Sequence, residues 1–203
     1  MKNVLPSSGL DDKQIKDKDL SKVSFEEHSF SRCSFENCNF IESSWKNARF
    51  NACIFQNCNI SLVNFEGCQL HDVTFIECKI VGAQFFKCNT TFLFSINAKK
   101  CFIQYGNFSN LPMNKTSFQE STIDQSIFVN TSLIEANFSG TDLKGTMFRH
   151  CNLSKANFSQ ASNYFIDLRV NEIKKAKFSF PEVVGLLKAF EITIVNFNTE
   201  KTN

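Results

Sequence analysis

The sequence lacks most of the features on which enzyme chemistry depends. Only 7 of its 203 residues are glycine, and it contains neither a glycine-rich phosphate-binding loop nor a Walker sequence. It carries no paired-carboxylate signature, and His28, His71 and His150 show no metal-ligand spacing and no partner nucleophile. These absences predict a protein that is not an enzyme and that uses no cofactor, no metal ion and no small-molecule substrate.

Long apolar runs and an excess of either charge are also missing. No apolar run reaches the ~18 residues that a membrane-spanning helix needs, and the chain does not open on a charged-then-apolar leader. We therefore expect a cytoplasmic protein that neither crosses a membrane nor is secreted. The formal net charge is only +2 and no basic face stands out, so direct binding of nucleic acid is not expected.

The most informative feature that is present is a row of large apolar residues at every fifth position. A step of five suits neither a helix, on which it rotates by roughly 140°, nor a flat strand, on which odd steps alternate between faces. The position two residues earlier is mostly small, and the other three positions are mostly polar. The pattern therefore predicts a chain that bends within each repeat and winds into an all-β solenoid. The row consists of Leu20, Phe25, Phe30, Phe35, Phe40, Trp45, Phe50, Phe55, Ile60, Phe65, Leu70, Phe75, Ile80 and Phe85.

The row fails at Thr90 and resumes three residues out of phase, firmly from Phe118 to Phe158. The stretch between these two parts of the row either forms an irregular coil or projects as a loop. Insertions in repeat arrays usually map to loops on a binding face. We therefore expect an irregular coil or projecting loop over residues 90–117. Its candidate partner-binding residues are Phe92, Phe94, Lys99, Lys100 and Tyr105.

The two ends of the chain differ from the repeats. Residues 1–17 are rich in Lys and Asp and are predicted to be a flexible or capping segment. Near the other end, Ser179 and Glu182 resemble a helix start, with Ser179 as the cap. The predicted segments are 1–17, a first repeat block at 18–89, the irregular stretch at 90–117, a second repeat block at 118–178, a helix and strand at 179–197 and a flexible tail at 198–203.

The helix-and-strand ending is more apolar than a lid over the last coil requires. A solenoid end must be covered, because its last core layer otherwise faces water. The surplus of apolar residues predicts that this segment also pairs two chains in a symmetric dimer. The residues expected at the dimer contact are Val183, Leu186, Leu187, Phe190, Ile192, Ile194 and Phe197.

The cysteines all lie at the small inward position of a repeat. Their spacing is that of the repeats and not the short Cys-x-x-Cys pairing of zinc sites. We expect them to be reduced core residues of a cytoplasmic protein. The alternative is that stacked Cys38, Cys58 and Cys78 form a redox or metal ladder. The full set is Cys33, Cys38, Cys53, Cys58, Cys68, Cys78, Cys88, Cys101 and Cys151.

Three runs in the second half carry a resemblance to a known family. Residues 136–140 (ANFSG), 141–145 (TDLKG) and 156–160 (ANFSQ) resemble the consensus of pentapeptide-repeat proteins, and the resemblance covers roughly residues 18–178. It implies a right-handed quadrilateral β-helix with four repeats per coil and a C-terminal helix-plus-strand dimerisation cap. Residues twenty apart would then stack. The expected columns are Phe25, Trp45, Phe65 and Phe85, and Phe118, Phe138, Phe158 and Phe178.

Residues 138–145 (FSGTDLKG), the irregular stretch between Phe86 and Ser117 and the ending from Ile173 to Val195 carry a closer resemblance. In these three features the chain resembles the Qnr-type, MfpA-type and microcin-immunity branch of that family. Members of this branch engage DNA gyrase or topoisomerase IV by DNA mimicry and protect it from quinolones or peptide toxins. The resemblance implies a bacterial homodimer whose partner is one of these topoisomerases. The row from Leu20 to Phe85 is unbroken, however, so the smaller loop of Qnr proteins is missing. The alternative is a scaffold or adaptor, or a bacterial effector, that binds another protein.

Mimicry of DNA requires a negative surface. No Lys or Arg lies between Lys115 and Lys144. In a coil of twenty residues, Asp124 and Asp142 would fall on the same side, one rung apart. A continuous negative stripe there would favour mimicry, and a mixed surface would favour the adaptor. The candidate acidic residues are Glu120, Asp124, Glu135 and Asp142.

Overall fold

The computed structural model describes residues 9–190 together with residue 192. This part of the chain is a right-handed quadrilateral β-helix of about eight turns. Its strands are β1 (Leu10–Asp11), β2 (Gln14–Lys16), β3 (Ser29–Ser31), β4 (Ser34–Glu36), β5 (Arg49–Asn51), β6 (Ile54–Gln56), β7 (Gln69–His71), β8 (Val73–Ile76), β9 (Lys79–Val81), β10 (Ile96–Lys99), β11 (Phe102–Gln104), β12 (Thr122–Asp124), β13 (Ile127–Val129), β14 (Met147–Arg149), β15 (Asn157–Phe158), β16 (Phe165–Ile166) and β17 (Lys177–Phe178). A 3₁₀ turn spans Phe85–Lys87, and a 3₁₀ helix spans Glu182–Phe190.

Strands on successive turns pair in parallel and stack into four sides. Side 1 holds the sheet β1-β3-β5-β7, and side 2 holds β2-β4-β6-β8-β10 and, further along, β15-β17. Side 3 holds β9-β11-β12, and side 4 holds β13-β14-β16. The buried central residues include Phe30 and Phe50 on side 1, Phe35 and Phe55 on side 2, Phe40 and Ile60 on side 3, and Trp45 and Phe65 on side 4.

The chain turns the corners between sides with residues in the left-handed backbone region. Asn37, Glu42 and Asn47, each two residues after a buried aromatic, have φ of 54°, 56° and 54°. This conformation is uncommon outside glycine, and Asn and Asp adopt it most readily. The corner explains how a five-residue step keeps its large residue inside: the chain bends once in every repeat.

Aromatic rings stack along the axis, as the resemblance to the pentapeptide-repeat family implies. Phe138 lies between Phe118 and Phe158, with ring centroids 5.2 and 4.9 Å away, and Phe158 stacks on Phe178 at 5.1 Å. On side 4, Trp45, Phe65 and Phe85 follow one another at 5.3 and 4.8 Å. Phe25, which precedes them, contacts the rings of Phe30 and Phe40.

The break in the sequence register is a three-residue insertion into one turn. Phe75 pairs with Phe55, twenty residues earlier, but with Ala98, twenty-three residues later. The N–H of Asn89 still donates to the carbonyl of Cys68 as in a regular coil, and β10 starts at Ile96. The extra residues therefore lie within residues 90–95.

The regular coil resumes at Ile96, so the prediction of an irregular segment reaching to residue 117 was wrong. Ile103 pairs with Ile80 below and Ile123 above, and Ser117 forms a bridge with Asn137. The backbone hydrogen bonds of each rung favour an immediate return to register. The column on side 4 continues across the insertion, because Phe85 stacks on Phe108 with centroids 5.0 Å apart.

The coil also begins earlier than predicted. β1 and β2 pair with β3 and β4, and Ile15 is buried with 6% of its surface exposed. Leu10 and Ile15 continue the five-residue row backwards from Leu20, so the sequence already contained this signal. Residues 1–8 lie outside the described part of the chain.

A second irregularity interrupts the block predicted at 118–178. Phe148 pairs with Ile166, eighteen residues later, whereas Asn152 forms a bridge with Glu172, twenty residues later. The buried Asn171 restores the rung with its amide: Nδ2 donates to the Phe148 carbonyl at 2.9 Å, and Oδ1 accepts from the Cys151 N–H at 3.0 Å.

The 3₁₀ helix Glu182–Phe190 contacts β16 near the end of the solenoid. Ser179 does not cap it through its hydroxyl, which accepts a hydrogen bond from the Gln160 N–H at 3.0 Å. The strand predicted after the helix lies outside the described residues except for Ile192, and Ile194 and Phe197 lie outside them altogether. Among the residues described, no helix is both long and apolar enough to span a bilayer.

Candidate interaction surfaces

The solenoid interior leaves its thiols enclosed. All nine cysteines are buried and free of disulfides, as expected for core residues. Cys58 illustrates their contacts: its Sγ donates to the Phe35 carbonyl at 3.4 Å and accepts from the Cys38 N–H at 3.4 Å. Burial raises the pKa of the Cys53 thiol to about 11 and that of Cys68 well above its ordinary value. Within the described part of the chain, no cluster of three or more His, Cys, Asp or Glu side chains is arranged to hold a metal ion.

The residues predicted to form one binding loop are distributed over three regions. Phe92 lies in the insertion and is 70% exposed. Phe94 faces the core with only 7% exposed, so its predicted contact with a partner was wrong. Lys99 ends β10 on side 2, Lys100 lies at the corner between sides 2 and 3, and Tyr105 lies at the corner between sides 3 and 4. The insertion is too short to gather them.

The predicted acidic residues are largely matched by neighbouring polar or basic groups. Lys155 Nζ lies 3.0 Å from Glu135 Oε1, and this contact lowers the pKa of the carboxyl. Glu120 is 4.0 Å from Lys100 Nζ. Asp124 Oδ2 accepts from Gln104 Nε2 at 2.7 Å. These contacts spread positive or hydrogen-bonding groups among the carboxylates.

Side 3 consequently presents a mixed surface. Asp142 forms a bridge with Thr122, which places it on the same side as Asp124 as predicted. Lys144, however, lies on the rung above Asp124, since its carbonyl accepts from the N–H of the following Gln125. Glu135 follows Leu133 at the corner between sides 1 and 2. The four carboxylates therefore do not form one negative stripe.

Side 1 carries a groove that the sequence did not indicate. The outward side chains of β3, β5 and β7 form its floor, and the insertion forms its wall, with Phe92 and Leu93 70% and 71% exposed. The volume is about 670 Å³, within the range typical of ligand sites. Lining residues are Ser29, Ser31, Arg49, Phe50, Asn51, Gln69, His71, Thr91, Phe92 and Leu93.

The groove contains an arginine without an ionic partner in the part of the chain that the structure describes. Arg32 is held by Asp11 and Asp12 at 2.8 and 2.7 Å. Arg49, one rung further along, has no described carboxylate within salt-bridge distance. Nearby, the His71 ring Nδ1 lies 2.7 Å from Asn51 Oδ1. Among the described residues, the groove thus offers one arginine without an ionic partner beside two exposed apolar side chains.

Side 4 carries a second depression of about 550 Å³ near the C-terminal end. Met147 and Phe165, which are paired in register, are each 52% exposed along it. Arg149 lies beside them, and Asp167 in the same depression is paired with Arg169 at 2.8 Å.

The residues predicted for dimer contact divide into inward and outward groups. Leu186 is buried with 6% exposed, and Val183 packs partly against the core. Leu187, Phe190 and Ile192 are 38%, 45% and 55% exposed. Only the second group is available to another chain within the described residues.

These features define a β-solenoid protein whose short repeats bury their large residues and present the remainder on flat sides. Two family models match it: a pentapeptide repeat region at residues 28–95, and pentapeptide repeats (8 copies) at residues 126–162. The chain belongs to the pentapeptide-repeat family. No curated protein matches its sequence.

Solved structures of QnrB1, a plasmid-mediated fluoroquinolone resistance protein, share the fold. One trypsin-treated variant is 18% identical with a TM-score of 0.61, and the match covers 97% of this chain and 95% of that chain. Another is 17% identical with a TM-score of 0.59, covering 93% and 91%. The full-length protein is 15% identical with a TM-score of 0.59, covering 91% and 100%.

Proposed function

We propose that this chain is a non-enzymatic scaffold or adaptor that binds another protein through its outer side chains. The observation that carries the proposal is the three-residue insertion, which exposes Phe92 and Leu93 above the side-1 groove. Exposed apolar side chains rimmed by polar ones are typical of interaction sites. The solenoid core, by contrast, consists of buried side chains packed on one another.

The experiment compares partner capture by wild-type protein and matched variants. Proteins retained from a lysate of the source cell are identified, purified and titrated against the wild-type chain. Replacing both Phe92 and Leu93 by Ser should weaken this binding at least about tenfold, because two exposed anchors are lost. Leu62→Ser, which removes a side chain 57% exposed at a corner between sides 3 and 4, serves as the control. Equal affinity of all three proteins would contradict the proposal.

A second candidate function is protection of DNA gyrase or topoisomerase IV from quinolones or peptide toxins. The match to nearly the full length of QnrB1 favours it. The mixed charge of side 3 weighs against it, since mimicry of a polyanion needs a continuous negative surface. The mixed charge therefore favours the adaptor function over protection of a topoisomerase.

The topoisomerase candidate is tested by a gyrase supercoiling assay with and without ciprofloxacin. Rescue of supercoiling from the drug, or direct inhibition of the enzyme, at micromolar protein would favour it. If the protein neither rescues supercoiling nor inhibits the enzyme at that concentration, the topoisomerase candidate is excluded and the adaptor function is retained.

We also propose that the chain forms a symmetric dimer through Leu187, Phe190 and Ile192 and that it acts in the cytoplasm. The exposure of these apolar residues supports the dimer, and nine free cysteines suit a reducing compartment. Sedimentation should give twice the chain mass of 23.2 kDa. Leu187→Glu combined with Phe190→Glu should give the monomer mass, and a wild-type monomer would contradict the dimer.

A further inference from the structure

The side-1 groove is long enough to hold an extended segment of chain. A smaller depression of about 260 Å³ at Gly9–Asp11 shares Ser29 and Ser31 with it. The combined surface therefore runs from the first rung to the insertion, across four rung spacings. At ~4.8 Å per rung this is ~19 Å, the length of about six extended residues at ~3.3 Å each.

The charge of the groove selects an acidic occupant. Arg49 lies in the middle of the floor, and none of the described residues that line the main groove carries a carboxylate. The carboxylate at its far end, that of Asp11, is engaged with Arg32. An arginine with its donors free binds a carboxylate in bidentate geometry.

The same features favour a peptide over nucleic acid. A single-stranded nucleic acid needs a row of cations along its backbone and aromatic side chains on which bases stack. The described lining of this groove contains one arginine, and one of its two exposed apolar side chains is Leu93, which offers no aromatic face.

We propose that the side-1 groove binds an extended acidic peptide segment of a partner protein. A carboxylate of that segment pairs with Arg49, and a large apolar side chain packs against Phe92 and Leu93. The inference rests on the proposed adaptor function and names the chemistry of the partner. It differs from DNA mimicry, in which the partner surface is basic.

The test is selection of a random ten-residue peptide library displayed on phage against the immobilised full chain. The enriched peptides should combine Asp or Glu with an aromatic or large aliphatic residue. A synthetic peptide of the enriched sequence is then titrated against purified variants. Arg49→Glu should weaken its binding by at least tenfold, and so should the combined Phe92→Ser and Leu93→Ser change.

Arg149→Glu is the matched control, because Arg149 is exposed on side 4 and also has no described ionic partner. It should leave the peptide affinity unchanged. The proposal is overturned if no peptide is enriched, if the enriched peptides are basic, or if Arg49→Glu and Arg149→Glu lose peptide affinity equally. It is also overturned if the wild-type chain binds an oligothymidine strand and Arg49→Glu abolishes that binding, or if Arg49→Glu lowers the oligomeric state of the protein. Because the assay contains no topoisomerase and no lysate, its failure leaves the tests of the proposed function intact.

Discussion

At the scale of single residues, the small inward position fills space, and several of the Cys, Ser and Thr residues that occupy it also donate a hydrogen bond to the rung below. Cys58 donates to the carbonyl of Phe35, Ser121 to that of Ala98 and Thr131 to that of Phe108, in each case twenty-three residues earlier. Thiol and hydroxyl therefore perform the same structural role in the two halves of the solenoid. The abundance of cysteine follows from packing and needs no redox chemistry.

This equivalence predicts the effect of replacing a buried thiol. Cys58→Ser should change the free energy of unfolding by less than about 1.5 kcal/mol, because Ser121 already makes the same contact in the same column. Cys58→Leu should cost about 1–3 kcal/mol, because the column has no room for a larger side chain. Urea denaturation followed by circular dichroism measures both. A larger loss for Ser than for Leu would show that the thiol has a special role.

The stacked aromatic column predicts a large cost for truncation. Phe138→Ala should destabilise the protein by about 3–5 kcal/mol, since the ring is fully buried between Phe118 and Phe158. Phe92→Ala, at a residue 70% exposed, should stay within about 0.5 kcal/mol of wild type. Denaturation midpoints of the two variants provide the comparison, and similar midpoints would contradict the assigned burial.

At the scale of elements, the solenoid absorbs an insertion without losing its register. The three extra residues are taken up between Asn89 and Ile96, and the strands on either side keep their parallel pairing. Loop-closure entropy grows slowly with length, so a short bulge costs little. Irregularity is therefore local, and surface chemistry can vary at one place while the coil continues.

Removing the insertion should restore a regular turn. Deletion of residues 90–92 brings Leu93 to the central position, and Phe94→Ser completes the run CNLSS, which has the pattern of residues 151–155, CNLSK. The variant should fold with a denaturation midpoint close to that of wild type, because its turn again holds twenty residues. It should also lose the side-1 groove and the peptide binding assigned to it. Loss of the β circular dichroism signal would show instead that the insertion is needed for folding.

At the scale of the whole molecule, the solenoid shields every thiol from solvent. Burial raises the pKa of Cys53 to about 11, above the ordinary ~8.5 of a thiol. The neutral thiol is therefore favoured in the folded state. Its stabilising contribution is fully present below pH ~8.5 and is lost as the pH rises through the folded value.

Thiol labelling measures this shielding directly. At about pH 8, the native protein should react slowly with an aromatic disulfide reagent, because the reactive thiolate is both buried and scarce. All nine cysteines should react promptly in concentrated urea. The absorbance of the released thiol counts them, and rapid labelling of several cysteines in the native protein would contradict the burial.

The charge distribution is likewise a property of the whole molecule. The absence of Lys and Arg between Lys115 and Lys144 suggested an acidic region. In the folded coil, Lys100 and Lys155 approach Glu120 and Glu135 from neighbouring rungs. Distance along the sequence is therefore a poor guide to the surface charge, because an outward side chain lies beside residues about twenty positions away.

The sequence by itself determined the coil. A large residue at every fifth position and a small one two before it predict a chain that bends once per repeat, winds into a β-solenoid and buries its cysteines. The resemblance to the pentapeptide-repeat family added the four-sided coil, and with it the aromatic columns that stack at intervals of twenty residues. The same reasoning could have found the start of the coil, since Leu10 and Ile15 continue the row. These properties are local and repeat along the chain.

Only the tertiary structure decided what lies on the surface. The row showed that register shifts by three residues, but the backbone pairing of neighbouring turns confined the shift to residues 90–95 and turned Phe94 inward. Arg49 lines the same groove as Phe92 and Leu93 because the insertion lies next to rungs formed some forty residues earlier. Outward side chains obey no periodic rule, and their neighbours depend on stacking between turns. For that reason the sequence predicted the core, and the fold was needed to find the groove.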